Sequence, residues 1–252
     1  MPAAALPGAS SEQWHGFETR AFEVAGRRVT LVCPHAPREG RYWAWKGEFL
    51  EAFPGTEVAL LGEGLFVAYL HYPDQFGGPA ALTAWNELYR VLAAQHGFAR
   101  KVALIGLSRG GLYCYNWAIA NPDKVACIYG DAPVCDLCSW PGGKGSGPGD
   151  PVEFRKALAV YALSSREEMR TRKVSPIDNL QPLANAGVPI LHVYGEADEV
   201  VPWQENTGTV ASRYRAMGGE IQLIGKPGCK HHPHGLDDPT PVVEFIKRNT
   251  LR

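Results

Sequence analysis

What this 252-residue chain lacks narrows it first. No apolar run reaches the roughly 20 residues that a bilayer-spanning helix needs, which argues against a membrane-embedded protein. The formal net charge is only −1, so neither nucleic acid nor an anionic membrane surface is an implied partner. Residues 1–11 are small and rich in Pro and Gly, without a basic n-region or an apolar h-region. That predicts no secretory signal and a cytoplasmic chain. Cysteine is sparse, with 6 scattered positions. Cys135-x-x-Cys138 is a single pair with no second pair to complete a zinc set and no redox-motif context, so reduced thiols are expected. No metal and no cofactor is expected. No internal repeat and no domain linker interrupts the pattern.

What is present alternates. Phe17–Val24 and Arg27–Cys33 flank Gly26 as a predicted hairpin. Leu65–Leu70, Lys101–Gly106, Val125–Tyr129 and Val188–Tyr194 are short apolar runs of the kind buried on both faces of a parallel sheet, and Ile221–Ile224 reads as a further strand. Between them, Ala80–His96, Gly111–Ala120, Trp203–Met217 and Thr240–Arg248 carry helical spacing, as does Tyr42–Phe53. The alternation predicts one α/β domain, a mostly parallel doubly wound sheet, over residues 17–252. Residues 1–16 form an N-terminal extension. Residues 133–182 break the pattern with a Pro/Gly-rich loop and two short helical segments, Pro151–Leu163 and Ser165–Lys173, read as a helical cap.

Chemistry on such a sheet belongs at the carboxyl ends of its strands. There the run Lys101–Gly106 enters Gly106-Leu-Ser108-Arg109-Gly110, and a helix pattern follows at once. Strand, tight turn and helix are the context of a nucleophile elbow, which makes Ser108 the candidate nucleophile and the Arg109 backbone N–H one oxyanion donor. A serine hydroxyl needs a base, and the base needs an orienting group. Asp198, in the loop after the strand ending at Tyr194, is the preferred acid, although an Asp there could equally cap the next helix. Asp131, ending the strand after the elbow helix, is the alternative. The base must come from Lys230-His231-His232-Pro233-His234. His231 is preferred, then His234, then His232. Three histidines in four positions invite a metal reading, but His231 and His232 point apart on an extended chain and no fourth ligand is found. The second oxyanion donor is expected in the loop leaving the strand that ends at Cys33, among His35, Ala36 and Arg38–Trp45.

With elbow, acid and base in order, the chain over about residues 20–250 resembles the α/β-hydrolase fold. Gly106-Leu-Ser108-Arg109-Gly110-Gly111, Gly195-Glu-Ala-Asp198 and Pro227-Gly-Cys-Lys-His231 resemble small bacterial esterases and the catalytic domains of prolyl-oligopeptidase-like proteins. Trp43-Ala-Trp45-Lys46-Gly47-Glu48-Phe49, Asp131-Ala-Pro133-Val134-Cys135-Asp136, Ser139-Trp140-Pro-Gly-Gly-Lys144-Gly145 and His231-His232-Pro233-His234 are similar to a group of bacterial α/β-hydrolases. The likeness implies the triad Ser108, Asp198 and His231 and an ester-cleaving activity, often in carbohydrate-degrading settings. The chain departs from many relatives at Lys230, where they carry Gly, and at Lys46, where Arg is common.

Trp140, Tyr161, Tyr42, Trp43, Trp45 and Tyr72 are candidates for a flat-faced cleft, with Trp43, Trp45 and Trp140 as substrate contacts. Lys46, Glu48, Asp136 and Lys144 are candidate polar contacts or plain surface charges. The expected function is a serine hydrolase acting through an acyl-enzyme on a small-molecule carboxylic ester, with acylated carbohydrates as candidate substrates. The alternatives are a small serine peptidase of the prolyl-oligopeptidase type and a ligand-binding protein that retains the triad. The roughly 20 leading residues are too few for the propeller such peptidases usually carry, which favours the esterase.

Overall fold

The computed structural model describes residues 5–251, so residues 1–4 of the opening stretch lie outside the described part. Among the described residues nine strands form one sheet: β1 (Ala9–Trp14), β2 (Phe17–Val24), β3 (Arg27–Val32), β4 (Trp43–Lys46), β5 (Phe66–Leu70), β6 (Val102–Leu107), β7 (Val125–Asp131), β8 (Ile190–Gly195) and β9 (Ile221–Lys226). Their spatial order is β1-β2-β3-β5-β4-β6-β7-β8-β9. The pairings from β1 to β5 are antiparallel, and every later pairing is parallel. The helices are α1 (Gly55–Gly62), α2 (Pro79–Tyr89), α3 (Gly110–Ala120), α4 (Pro151–Val160), α5 (Arg166–Thr171), α6 (Gln181–Asn185), α7 (Thr209–Ala216) and α8 (Thr240–Thr250).

The period of two in a strand sorts its residues onto two faces. In β6, Val102 and Leu104 join the cluster under α2, α3 and α7, whereas Ala103 and Ile105 join the one under α1 and α8. Both faces are therefore apolar, as the unbroken hydrophobic run required. Residues 133–182 have their own cluster, where Leu137, Ala157, Leu163 and Met169 meet Phe76 and Leu112. Their helices start on local signals. The Asp150 carboxylate accepts the Val152 and Glu153 N–H groups ahead of Pro151, and the Ser165 hydroxyl accepts from Glu168.

Two expectations change. Ala9–Trp14, expected within the N-terminal extension, pairs with β2 as the edge strand. Tyr42–Phe53, expected as a helix, is instead β4 followed by a loop. Trp43 and Trp45 lie two apart on one face, where Trp45 stacks on Trp85 at 4.0 Å and meets Trp117 at 5.2 Å. Ala44 faces the other way. Phe49 and Phe53, which completed the apparent stripe, are exposed at φ 59° and 49°. Indole stacking in a sheet interior outweighs the weak helical spacing of four aromatic positions.

Candidate active site

The elbow is built from backbone constraints. A Cβ on Gly106 would come within 2.8 Å of the Gly111 Cα, and one on Gly111 within 2.7 Å of the Pro133 Cβ, so both positions must stay bare. Ser108 itself sits at φ 45°, a left-handed conformation that costs a non-glycine residue about 1–3 kcal/mol. Its N–H donates to the Asp131 carbonyl, and its own carbonyl accepts from Gly111 and Val134, each at 2.9 Å. These bonds hold the half-exposed hydroxyl beyond the end of β6.

The Ser108 Oγ lies 3.0 Å from the His231 Nε2, and the His231 Nδ1 lies 2.7 Å from the Asp198 Oδ2. Asp198 divides its labour. Its Oδ1 accepts the N–H groups of Val200 and Val201 at 2.9 Å, which fixes the loop, and its Oδ2 stays with the imidazole. The two loops are stitched by the Ala197 N–H, which donates to the Cys229 carbonyl at 2.9 Å. A Cβ on Gly195 would collide with the Cys229 and Lys230 carbonyls, so a bare position lets the loops approach.

The alternative acid and base meet each other instead. His234 Nδ1 is 2.8 Å from Asp131 Oδ1, and Asp131 Oδ2 accepts from the Tyr129 hydroxyl at 2.7 Å and the Gly235 N–H at 2.6 Å. Burial works to raise the Asp131 pKa, but the His234 ring and the two further donors hold it below the usual carboxylate range. His231 and His232 do not point apart. The loop bends, and the three rings form a triangle with centroids 4.8–4.9 Å from one another.

Several candidate contacts are corrected. Trp43 and Trp45 are 0 % exposed and belong to the core, so they offer no face to a substrate. Tyr42 lines a hollow of about 410 Å³ with Arg100, Val188 and Asn249, at the amino edge of the parallel strands. Tyr72 packs under the Arg27 guanidinium. Lys46 is no surface charge either: it is 0 % exposed and ion-paired to the buried Glu57 at 2.5 Å. Asp136 shapes a turn by accepting the Cys138 N–H, and Lys144 is exposed. Cys135 and Cys138 are buried free thiols, and burial pushes the Cys138 thiol up to about 11. Trp140 is half-buried and stacked 6.4 Å from Phe76, which in turn lies 5.1 Å beneath the Arg109 guanidinium.

The loop expected to supply the second oxyanion donor lies on the wrong side. β3 runs antiparallel to β5, so residues 33–42 emerge at the amino edge of the parallel strands, opposite Ser108. The strand beside β6 is β4, and its carboxyl end leads into Gly47-Glu48-Phe49. A Cβ on Gly110 would stand 3.1 Å from the Glu48 N, which shows how closely that loop rides against the elbow.

Arg109 contributes more than the backbone N–H expected of it. Its side chain proves the hub of a charge cluster. It reaches Glu48 through Nε at 2.6 Å and Nη2 at 3.0 Å, Asp74 at 2.8 Å and Glu153 of α4 at 2.5 Å. Burial raises the Glu48 pKa, with Arg109 opposing; burial alone would lower that of Arg109, but Glu48, Asp74 and Glu153 raise it. The cluster ties the loops after β4 and β5 and the helix α4 to the residue following Ser108.

A mostly parallel sheet with flanking helices and a serine at its elbow, facing a carboxylate-bound histidine on a later loop, defines a member of the α/β-hydrolase class. The model of the prolyl oligopeptidase family matches residues 86–249, and the chain belongs to that family of serine hydrolases. No curated protein matches the sequence. Among solved structures it is similar to a Mycobacterium tuberculosis puromycin-hydrolyzing peptidase (17 % identity, TM-score 0.72, 98 % of this chain and 41 % of that one). It is also similar to Pyrococcus horikoshii acylaminoacyl peptidase (12 %, 0.70, 94 % and 42 %) and to Porphyromonas gingivalis dipeptidyl peptidase 4 (15 %, 0.67, 92 % and 35 %). The chain thus spans about two fifths of the length of these proteins. Among the described residues no helix is long and apolar enough to cross a membrane.

Proposed function

We propose that the chain is a serine peptidase that cleaves amide bonds of short or N-acylated peptides, with Ser108 as nucleophile, His231 as base and Asp198 as its orienting acid. The observation that carries the reading is the continuous hydrogen-bonded path from Ser108 through His231 to Asp198. Family membership and the peptidases among its structural neighbours favour amide chemistry over the acylated carbohydrates expected from the sequence. An apolar approach also supports it. Phe49, Phe53, Val152 and Val200 are exposed large side chains on the segments that contact Arg109, His234 and Asp198. Such a rim suits peptide side chains better than hydroxyl-rich rings.

In this reading the Ser108 oxygen bonds to the carbonyl carbon while its proton passes to His231 Nε2. Collapse of the tetrahedral species expels the amine, which leaves with that proton. Water then attacks the acyl-enzyme by the same route and releases a carboxylate product and free Ser108. Asp198 holds the ring and stabilises the imidazolium. The Arg109 N–H, which takes no acceptor within the described residues, and the Glu48 N–H are the proposed oxyanion donors; the neighbouring Gly47 N–H is spent on the Ile105 carbonyl at 2.9 Å and the Phe49 N–H on the Tyr69 hydroxyl.

The test compares wild type with Ser108→Ala on aminoacyl- and peptidyl-nitroanilides, p-nitrophenyl acetate, and acetylated and feruloylated sugars. Nitroanilide release is expected to fall by about 10⁴–10⁶-fold in the variant, with unchanged thermal melting. A fluorophosphonate should add once to wild type and not to Ser108→Ala. Wild-type turnover by the variant ends the serine mechanism, and sugar-ester turnover without any nitroanilide release ends the peptidase assignment.

A further inference from the structure

His231, His232 and His234 each present a ring nitrogen, and these atoms all lie within 4.8 Å of one another. Two of the rings are already oriented as metal-binding histidines are. His231 and His234 give their Nδ1 sides to Asp198 and Asp131 at 2.7 and 2.8 Å, which leaves both Nε2 lone pairs directed away from the carboxylates. A carboxylate behind each imidazole fixes its tautomer and raises its basicity as a ligand. The third ring, His232, is exposed, and its nitrogens take no hydrogen bond among the described residues.

We propose that this triangle is a zinc site whose occupancy switches the serine chemistry off. Tetrahedral zinc with bonds of about 2.0–2.1 Å sets its ligands roughly 3.3–3.4 Å apart, so the nitrogens must draw together. The exposed His232 can make most of that movement by leaving its stack on Phe53, and the two buried rings can close any remaining gap by tilting about their bonds to Asp198 and Asp131. Three neutral nitrogens leave one position open, filled by water or by the Ser108 hydroxyl. The same His231 Nε2 that lies 3.0 Å from the Ser108 Oγ would be bound to the ion, so it could no longer accept the serine proton. Two buried carboxylates stand behind the His231 and His234 rings, which offsets the charge of the dication. Zinc binding itself is independent of the peptidase assignment. Only the switching effect rests on it.

The test uses the full chain, stripped with EDTA and dialysed, and titrated with Zn²⁺ against a chromophoric chelator. One ion per chain is expected, with affinity falling about tenfold or more in His232→Ala and about 10–100-fold in Asp131→Asn. Co²⁺ should give the intense visible bands of a four-coordinate site. Zn²⁺ should slow fluorophosphonate labelling of Ser108, and EDTA should restore it. Binding that survives His232→Ala unchanged, or that is lost instead in a Cys229→Ser control, overturns the site. Faster turnover with zinc bound overturns the switch. If Ser108 never labels but zinc still binds through His232, the peptidase reading falls and the metal site stands.

Discussion

Replacing Gly47 by alanine probes the oxyanion geometry without touching any side chain of the proposed triad. A Cβ there would lie 2.5 Å from the Gly110 carbonyl oxygen and 3.2 Å from the Cys114 Sγ. Ordinary contact begins near 3.4 Å, so the Gly47-Glu48-Phe49 loop and the elbow must separate by about 0.9 Å. Oxyanion donors work at about 2.7–3.1 Å from the developing charge, and a shift of that size takes an amide out of range. Loss of one donor lowers kcat by about 10²–10³-fold, or roughly 2.7–4 kcal/mol of transition-state stabilisation. KM should move little, because the ground-state carbonyl gains little from that hole. Steady-state kinetics on a peptidyl nitroanilide, with thermal melting alongside, reads the effect. Gly55→Ala is the control, since a Cβ at that position meets nothing within 4 Å. A folded Gly47→Ala protein whose kcat stays within about threefold of wild type would refute the placement of the second donor in this loop.

His231→Ala should cost nearly as much as loss of the serine, because triad members act as a unit, whereas His234→Ala, which removes a ring braced on Asp131, should cost about 10–100-fold. Nitroanilide kinetics on both decide it, and a dead His234 variant beside an active His231 variant would reverse the proposed roles. His192 gives a pH prediction for the fold. Burial between the Tyr115 hydroxyl and Thr207 lowers its pKa to about 3, so below the unfolded value near 6.5 the unfolded chain binds the proton first. Its contribution is complete above about pH 6.5 and is lost as the pH falls towards 3, by up to about 4–5 kcal/mol. Urea melts across that window should show the slope, and His192→Asn should flatten it; an identical acid limb in the variant would exclude the residue.

How far the site could be read from the chain depends on how local each determinant is. The elbow was legible because its glycines and its serine sit within a few bonds of the turn they create, and strand, turn and helix follow in one stretch. The placement of Asp198 near the histidine loop was legible from its position after a strand end. The Glu48–Arg109 pair was not, since it joins residues 61 positions apart and depends on which strand flanks β6. That same neighbour relation explains the misplaced oxyanion loop. Reading the strand that ends at Cys33 as parallel turns its loop towards Ser108, while the antiparallel direction of β3 turns it to the far edge. A reversal of strand sense, invisible in an apolar run, therefore moved the second donor, whereas the tryptophans moved because Trp43–Lys46 is a buried strand and not a helix. The histidine loop turns on backbone shape. Alternate pointing holds only for extended backbone, and once the loop bends adjacent rings converge, which brings one nitrogen from each of His231, His232 and His234 within 4.8 Å of the others, a proximity that sequence spacing alone does not show.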